Sequence, residues 1–447
     1  MTPVQPRKIL CLTLEPLTAR MAGPAIRCLE LGRQLAQEFT VTVASPCQVP
    51  VGMELAKQSG FTVCAGASRS EILKLAGEAD ILFIQGNVLK PFPQLVELKK
   101  YLVIDLYDPY LFSLLNQYSE NPATASASYR LMHQVLEKHM LACDFAICAS
   151  ERQRDYWIGR FCALGRLDPR VCQIDPSLRK VVDIVPFGLS DVAPVKTGPA
   201  MKGVIKGIEP DSQVLLWTGG IWDWFDPLTI IEAVARCHEE LPQLKLFFMG
   251  MKSPNPQVPL MPMAEKALKM ATDLGLLDKS VFFSQAWVKY EERQNFLMEA
   301  DAAVSAHFDT IETRFSFRTR ILDNLWSNLP TLTTGGDQLA ELISVHQAGI
   351  AIPYNDVGGW AQAIKTIVTD RDFNERCRKG AHELAQRFTW SESARPLIEF
   401  CRNPHHLPPF QRIKMPSLLE RANAVYSRGG KELILKRSKD LLNDMLR

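Results

Sequence analysis

The sequence predicts an α/β protein of two doubly wound, parallel-sheet units of Rossmann type that face each other across a cleft. Three observations carry this. Short apolar runs alternate with longer amphipathic stretches along most of the chain, as strands joined by crossover helices require. A chain of 447 residues exceeds what one hydrophobic core supports, so two large units are the simplest division. Residues 190–210 mix Pro, Gly, Lys and Asp without periodicity, as a linker between such units would.

The elements follow in order. A strand is expected over Lys8–Leu14, then a loop through Gly23 and Pro24, then a helix over Ala25–Gln37. The runs FTVTVAS, ADILFIQG, YLVIDLY, DFAICAS and DIVPFG supply further strands and close a first unit over residues 1–190. In the second unit, residues 191–402, the strands read QVLLWTGG, LKLFFMG, SVFFSQ, AAVSAH, LPTLTT and GIAIPY. Helices such as Pro227–Leu241 and Tyr290–Glu299 separate them, and the pattern from Ala363 to Cys401 is helical. Residues 403–447 form a Pro-rich connector and a basic tail. From Arg412 to Arg447 that tail carries nine Lys or Arg against four Asp or Glu, with Leu435, Leu442 and Leu446 at helical spacing, as are Ile434, Leu441 and Met445. Such a helix either docks its apolar stripe on the protein or lies weakly on an anionic membrane surface.

Composition narrows the class. Hydrophobic residues at 47% and charged residues at 22% describe a soluble globular protein, and a net charge of +2 excludes a whole-chain nucleic-acid footprint. The 11 cysteines run from Cys11 to Cys401 without a C-x-x-C pair, which reads as reduced thiols in a cytoplasmic protein. KILCLTL begins too close to the N-terminus for a signal peptide. The 8 histidines show no metal-ligand spacing, and Asp370-Arg371-Asp372 follows a helix and reads as surface, so no metal is expected. Neither a dinucleotide fingerprint after the first strand nor a nucleophile-elbow or Walker sequence is present, which lowers the dehydrogenase, hydrolase and NTPase readings.

Two stretches carry chemistry. In WTGGIWDWFDPLTIIEAV, Gly219 and Gly220 follow a strand, and a helix starts at Asp226-Pro227; glycines there let backbone N–H groups approach a phosphate, although a tight turn needs them equally. The nearby Trp217, Trp222 and Trp224 suit a packed core better than a stacking platform. In ETRFSFRTRILDNLWSNLP, Arg314, Arg318 and Arg320 fall within seven residues before a helix, and the planar guanidinium fork suits a diphosphate. Glu312, Thr319 and Asp323 add acceptors and donors for a sugar ring or ribose.

These pieces, taken in order with MAGPAIRCLELGRQLA, ASERQRDYW, VPFGL, AWVKYEER and TTGGDQLAELI, resemble the family-4 retaining glycosyltransferases of the GT-B fold, particularly the bacterial branch concerned with surface polysaccharides. The resemblance spans about residues 8–402. It implies that Gly23–Ala25, with Arg27, form the loop closing over the donor phosphates. Trp287 and Val288 would lie against the nucleotide base, and Asp323 would hold the ribose hydroxyls. Gly335–Asp337 match a turn. This chain departs from the pattern in three places: Phe315 stands eight residues before Asp323 where a glutamate is usual, Gly220 and Phe225 stand where an arginine and a lysine grip the diphosphate, and Tyr107 stands where a histidine is often found. Arg318 and Arg320 are the candidates to replace the missing charge. Asp105, Tyr107 and Asp108 are candidates on the acceptor side, with helix capping the alternative for Asp108.

The implied reaction is transfer of a glycosyl group from a nucleoside diphosphate sugar, a co-substrate in a protein with no cofactor, to a hydroxyl of a glycan or lipid-linked acceptor. Asp108, Glu312, Arg318 and Arg320 would carry the chemistry. The protein would be cytoplasmic, with the tail as a peripheral contact at the inner face of the membrane. A nucleotide-sugar epimerase on the same fold, or an inactive nucleotide- or glycan-binding subunit, are the alternatives.

Overall fold

In the computed structural model, residues 6–18, 21–48, 60–116, 122–251, 260–284 and 288–411 are described, with scattered positions between 417 and 439. The first unit carries strands β1 (Lys8–Leu12), β2 (Thr40–Ser45), β3 (Thr62–Ala65), β4 (Ile81–Gln85), β5 (Tyr101–Asp105), β6 (Phe145–Cys148) and β7 (Val182–Ile184). They form one sheet in the order β3-β2-β1-β4-β5-β6-β7, and every pairing is parallel. The second unit carries β8 (Gln213–Trp217), β9 (Leu244–Phe248), β10 (Val281–Phe283), β11 (Ala302–Ser305), β12 (Thr331–Thr334) and β13 (Gly349–Ile352). Their order is β10-β9-β8-β11-β12-β13, again parallel throughout. Both sheets are therefore doubly wound, as the sequence predicts. Central strands such as β4, buried at all five positions, are continuous apolar runs because helices cover both faces.

Eight helices position the residues that matter below: α1 (Gly23–Leu35), α2 (Leu111–Asn116), α3 (Glu151–Ala163), α4 (Pro227–Cys237), α5 (Ile311–Phe315), α6 (Thr319–Trp326), α7 (Gln338–Val345) and α8 (Arg395–Arg402). Side-chain caps fix several of their starts. Ser150 accepts from the N–H of Gln153, Asp226 from Thr229 and Asp337 from Ala340. Asp370 likewise caps the helix that follows it, accepting from Phe373, which leaves the Asp370-Arg371-Asp372 run on the surface as read from sequence.

The two units share an apolar core. One cluster runs from Ile9, Val43, Phe83 and Phe145 through α1 and Val185, Phe187 and Leu189 to Ile321, Leu339, Trp390, Leu397 and Phe400. At the seam, the Leu189 N–H donates to the carbonyl of Phe388 (2.7 Å) and the Trp390 N–H to that of Leu189 (2.9 Å). A Cβ on Gly188 would lie 2.4 Å from the Trp390 ring, so only glycine allows this approach.

One boundary needs correction. The division at 402 assigns α8 to the second unit, yet α8 and the segment after it pack on the first. Phe400 stacks on Phe145 at 4.7 Å, Arg402 pairs with Glu38, His406 stacks on Tyr101 at 4.3 Å, and Arg166 donates to the carbonyl of Pro408 at 2.9 Å. Helical periodicity identified the element but could not say which sheet it covers. Of the tail, Leu435 is exposed; Ile434, Leu441, Leu442, Met445 and Leu446 lie outside the described residues. No helix among the described residues is long and apolar enough to cross a membrane.

Candidate active site

The carboxyl ends of both sheets open onto one crevice between the units, the place where doubly wound sheets take ligands. The first unit contributes Met21, Gly23, Ile26 and Phe187; the second contributes Gly219, Gly220, Trp222, Met249, Val288, Thr319, Arg320 and Asp323. Gly23, Gly219, Gly220, Val288, Thr319, Arg320 and Asp323, all candidates for the donor site, thus line one crevice. Trp287 lies outside the described residues.

Arg320 dominates this crevice. It sits in the first turn of α6 with its guanidinium 3.8 Å from the Phe225 ring centre and 5.1 Å from that of Trp217. Its Nη2 donates to the carbonyl of Gly220 at 2.8 Å, and its buried Nη1 has no hydrogen-bond partner among the described residues. Burial first, then the charge of Arg318, pushes its pKa down from the ordinary arginine value. A desolvated cation with an unused donor beside a helix N-terminus has the chemistry to take an anion. Gly219, at φ +77°, turns the chain past it; a side chain there would be strained by about 1–2 kcal/mol.

Five neighbouring candidates are placed otherwise than the sequence suggests. Arg318 does not open into the crevice: it is 5% exposed and held by both oxygens of Glu312, at 2.8 and 3.2 Å. Glu312 is in turn occupied by that fork, and Arg318 Nε lies 4.0 Å from Asp337. Arg314 is exposed and rests against the Phe315 ring at 5.9 Å, away from the crevice. Arg27 is fully buried: it grips Asp105 at 2.7 and 3.0 Å and donates to the carbonyls of Val185 and Pro186. With four of its five N–H donors engaged and no exposed surface, it ties α1 to the strand end leading to the seam and does not reach the crevice. For the same reason Asp105, whose oxygens also accept from Gln85 at 3.0 Å, is not open to a second substrate.

A recess on the first unit adjoins the crevice, lined by Glu15, Gln85, Asn87, Tyr107, Asp108 and Tyr110 among others. Tyr107 packs under the Arg27 guanidinium at 4.9 Å. Asp108 is exposed to the cleft, yet protein from both units crowds it. Desolvation by that surrounding protein, then Glu312 and Asp105, push its pKa up to about 6, with Arg318 opposing. The first turn of α2 is made by backbone bonds from Phe112 to Pro109 and from Leu114 to Tyr110. Asp323 keeps a place on the crevice wall but is engaged by Arg293 Nε at 3.0 Å.

Sequence reasoning missed a buried polar group beneath the crevice. His307, just past β11, and Asp337, the α7 cap, are both fully enclosed, with His307 Nε2 3.8 Å from Asp337 Oδ2. Burial, then Arg318, keeps the His307 imidazole neutral by lowering its pKa well below the usual value, while burial pushes Asp337 up to about 6. Their position at the carboxyl ends of adjacent strands was the available signal. Of the tryptophans, Trp217 is core, as expected, whereas Trp222 stacks on Trp224 at 5.6 Å and forms part of the crevice wall.

Two doubly wound sheets with one crevice between their carboxyl ends define a GT-B architecture. Residues 212–370, the body of the second unit, match the family described as Glycosyl transferases group 1. A D-inositol 3-phosphate glycosyltransferase of Stackebrandtia nassauensis is 27% identical over 199 residues, 43% of this chain and 42% of that protein. The chain thus spans under half the length of this relative. Among solved structures, Anabaena Alr3699/HepE in complex with UDP and glucose superposes with a TM-score of 0.65 at 15% identity, over 89% of this chain and 99% of that one. A sucrose-phosphate synthase from Thermosynechococcus elongatus gives 0.61 at 14% identity, over 89% and 98%. These likenesses are of fold.

Proposed function

We propose that this protein transfers a glycosyl group from a nucleoside diphosphate sugar to a hydroxyl of a glycan or lipid-linked acceptor, with retention of configuration and without a metal ion. The observation that carries the reading is Arg320, a half-buried arginine that lines the crevice at a helix start and keeps one guanidinium nitrogen without a partner among the described residues. The family match over residues 212–370 supports the reaction class, and the UDP held by the Anabaena neighbour makes UDP the first nucleotide to try. Retention rests on the family resemblance.

In this reading catalysis is mainly electrostatic. Arg320 and the α6 N-terminus stabilise the departing diphosphate, and the cleft holds the acceptor hydroxyl against the donor. Asp108, on the acceptor side, accepts a hydrogen bond from that hydroxyl. Release of UDP from UDP-sugars, measured with and without glycan acceptors, tests the proposal: acceptor-dependent release supports transfer, whereas interconversion of the donor sugar without net release means an epimerase. Turnover should persist in excess chelator. Its complete loss, restored by manganese or magnesium, would overturn the metal-free reading.

The raised pKa of Asp108 gives a signed prediction. Its carboxyl holds a proton more tightly in the folded state, so its ionisation lowers stability as pH rises from its ordinary value of 3.8 through about 6. Asp108→Asn should therefore raise Tm at about pH 8 and leave it nearly unchanged at about pH 4. The same variant should lower acceptor-dependent turnover by about tenfold or more, with UDP affinity unaltered. Equal Tm shifts at both pH values would show that folding does not hold this proton more tightly, and unchanged turnover would remove Asp108 from the acceptor side.

A further inference from the structure

The loop that carries the Glu312–Arg318 pair does not rest on its own unit alone. Phe315, the last residue of α5, stacks on Phe112 of α2 with ring centres 5.1 Å apart and rings within 23° of parallel. It also meets Tyr156 of α3 at 5.5 Å. Both partners belong to the first unit. The Phe315 carbonyl accepts from Gln153 Nε2 at 2.9 Å, and Gln153 is itself fully buried, its Oε1 accepting from the N–H of Ala149.

The neighbouring residue of α3 makes a matching contact. Arg152 donates to the carbonyl of Gly336 at 2.9 Å and pairs with Glu341 of α7. The first turn of α3 therefore touches both second-unit segments that surround the buried group: the Glu312–Arg318 loop, and the turn that delivers Asp337. Asp108 faces the same pair from the first unit, since Glu312 and Arg318 are both among the charges that set its pKa.

We infer that Phe315 is a positioning residue: seated in the Phe112–Tyr156 socket, it closes the two units and sets the Glu312–Arg318 pair against Asp108. It lines neither the crevice nor the recess beside Asp108. An aromatic seat suits this task because offset ring stacking has a preferred geometry, whereas an exposed ion pair such as Arg152–Glu341 is weak and salt-screened. The catalytic consequence rests on the transferase reading. The mechanical one does not.

The experiment compares full-length wild type, Phe315→Ala, Phe315→Tyr and Phe112→Ala. Small-angle X-ray scattering without ligand reads closure, thermal melting reads folding, and steady-state kinetics with UDP-sugar read turnover. Phe315→Ala and Phe112→Ala should each enlarge the radius of gyration, with melting still cooperative, and lower kcat by about tenfold while the donor KM changes little. Phe315→Tyr, which keeps the ring, should restore both. Were either alanine variant to fail to fold, the other still decides the matter. An unchanged radius of gyration in a folded alanine variant overturns the inference. Expansion in a protein that proves not to transfer sugars leaves the closure role standing and rejects only the transferase reading.

Discussion

Replacing Arg320 by alanine is expected to weaken UDP binding by roughly ten- to a hundredfold, the worth of one or two charge-assisted hydrogen bonds. The expectation follows from its surroundings. The guanidinium is packed against Phe225 and Trp217, anchored by one bond to the Gly220 carbonyl, and buried with Nη1 unpartnered among the described residues. A cation so desolvated gains more from an incoming anion than one already solvated or paired. Isothermal titration with UDP checks it. Lysine should rescue only in part, because it offers a point charge where the fork offered directed donors. Arg318→Ala should behave differently: it strands the Glu312 carboxylate and should lower Tm before it lowers affinity. Equal UDP affinity in wild type and Arg320→Ala would remove Arg320 from the donor site.

Arg27→Ala should cost about 3–5 kcal/mol of stability, because it leaves a buried carboxylate without its partner. The side chains of Arg27 and Asp105 are 0% and 1% exposed, and the same guanidinium also satisfies two carbonyls on the way to the seam. Thermal melting should register a fall of about 3–5 °C if the two units melt together, with UDP affinity of the folded fraction intact. The double variant Arg27→Met, Asp105→Leu should recover much of the loss, since replacing both members of a buried pair by apolar residues avoids the stranded charge. Should Arg27→Ala instead melt normally and bind UDP poorly, the donor role read from its place in the loop would stand.

These two arginines show what the sequence discloses and what it conceals. Hydrophobic periodicity located every strand of the second sheet, but β3 was passed over: four residues, TVCA, at a sheet edge and only partly buried, carry little of the signal that a covered strand does. The site was legible as a region because strand ends, glycine turns and helix starts are local features. Its assignment residue by residue was not. Arg318 and Arg320 are two positions apart at the start of α6, so about 200° of helical rotation separates their directions. One meets Glu312 and the other meets the crevice. Arg27 and Asp105 are 78 positions apart, and only the fold reveals that each neutralises the other. A basic residue in a motif reads as a ligand contact until its acidic partner is seen.

The return of α8 and residues 403–409 onto the first sheet has a consequence for biosynthesis. Domains ordinarily fold as they leave the ribosome, the N-terminal one first. Here the surface around Phe145, Tyr101 and Glu38 is met by Phe400, Arg402 and His406, which emerge about 220 residues after β7. At about 5–20 residues per second, that interval is roughly 10–45 s. During it the nascent first unit lacks the cover that Phe400 and His406 give to the face around Phe145 and Tyr101, so a stalled or truncated chain would offer chaperones and proteases a binding surface that the finished protein hides.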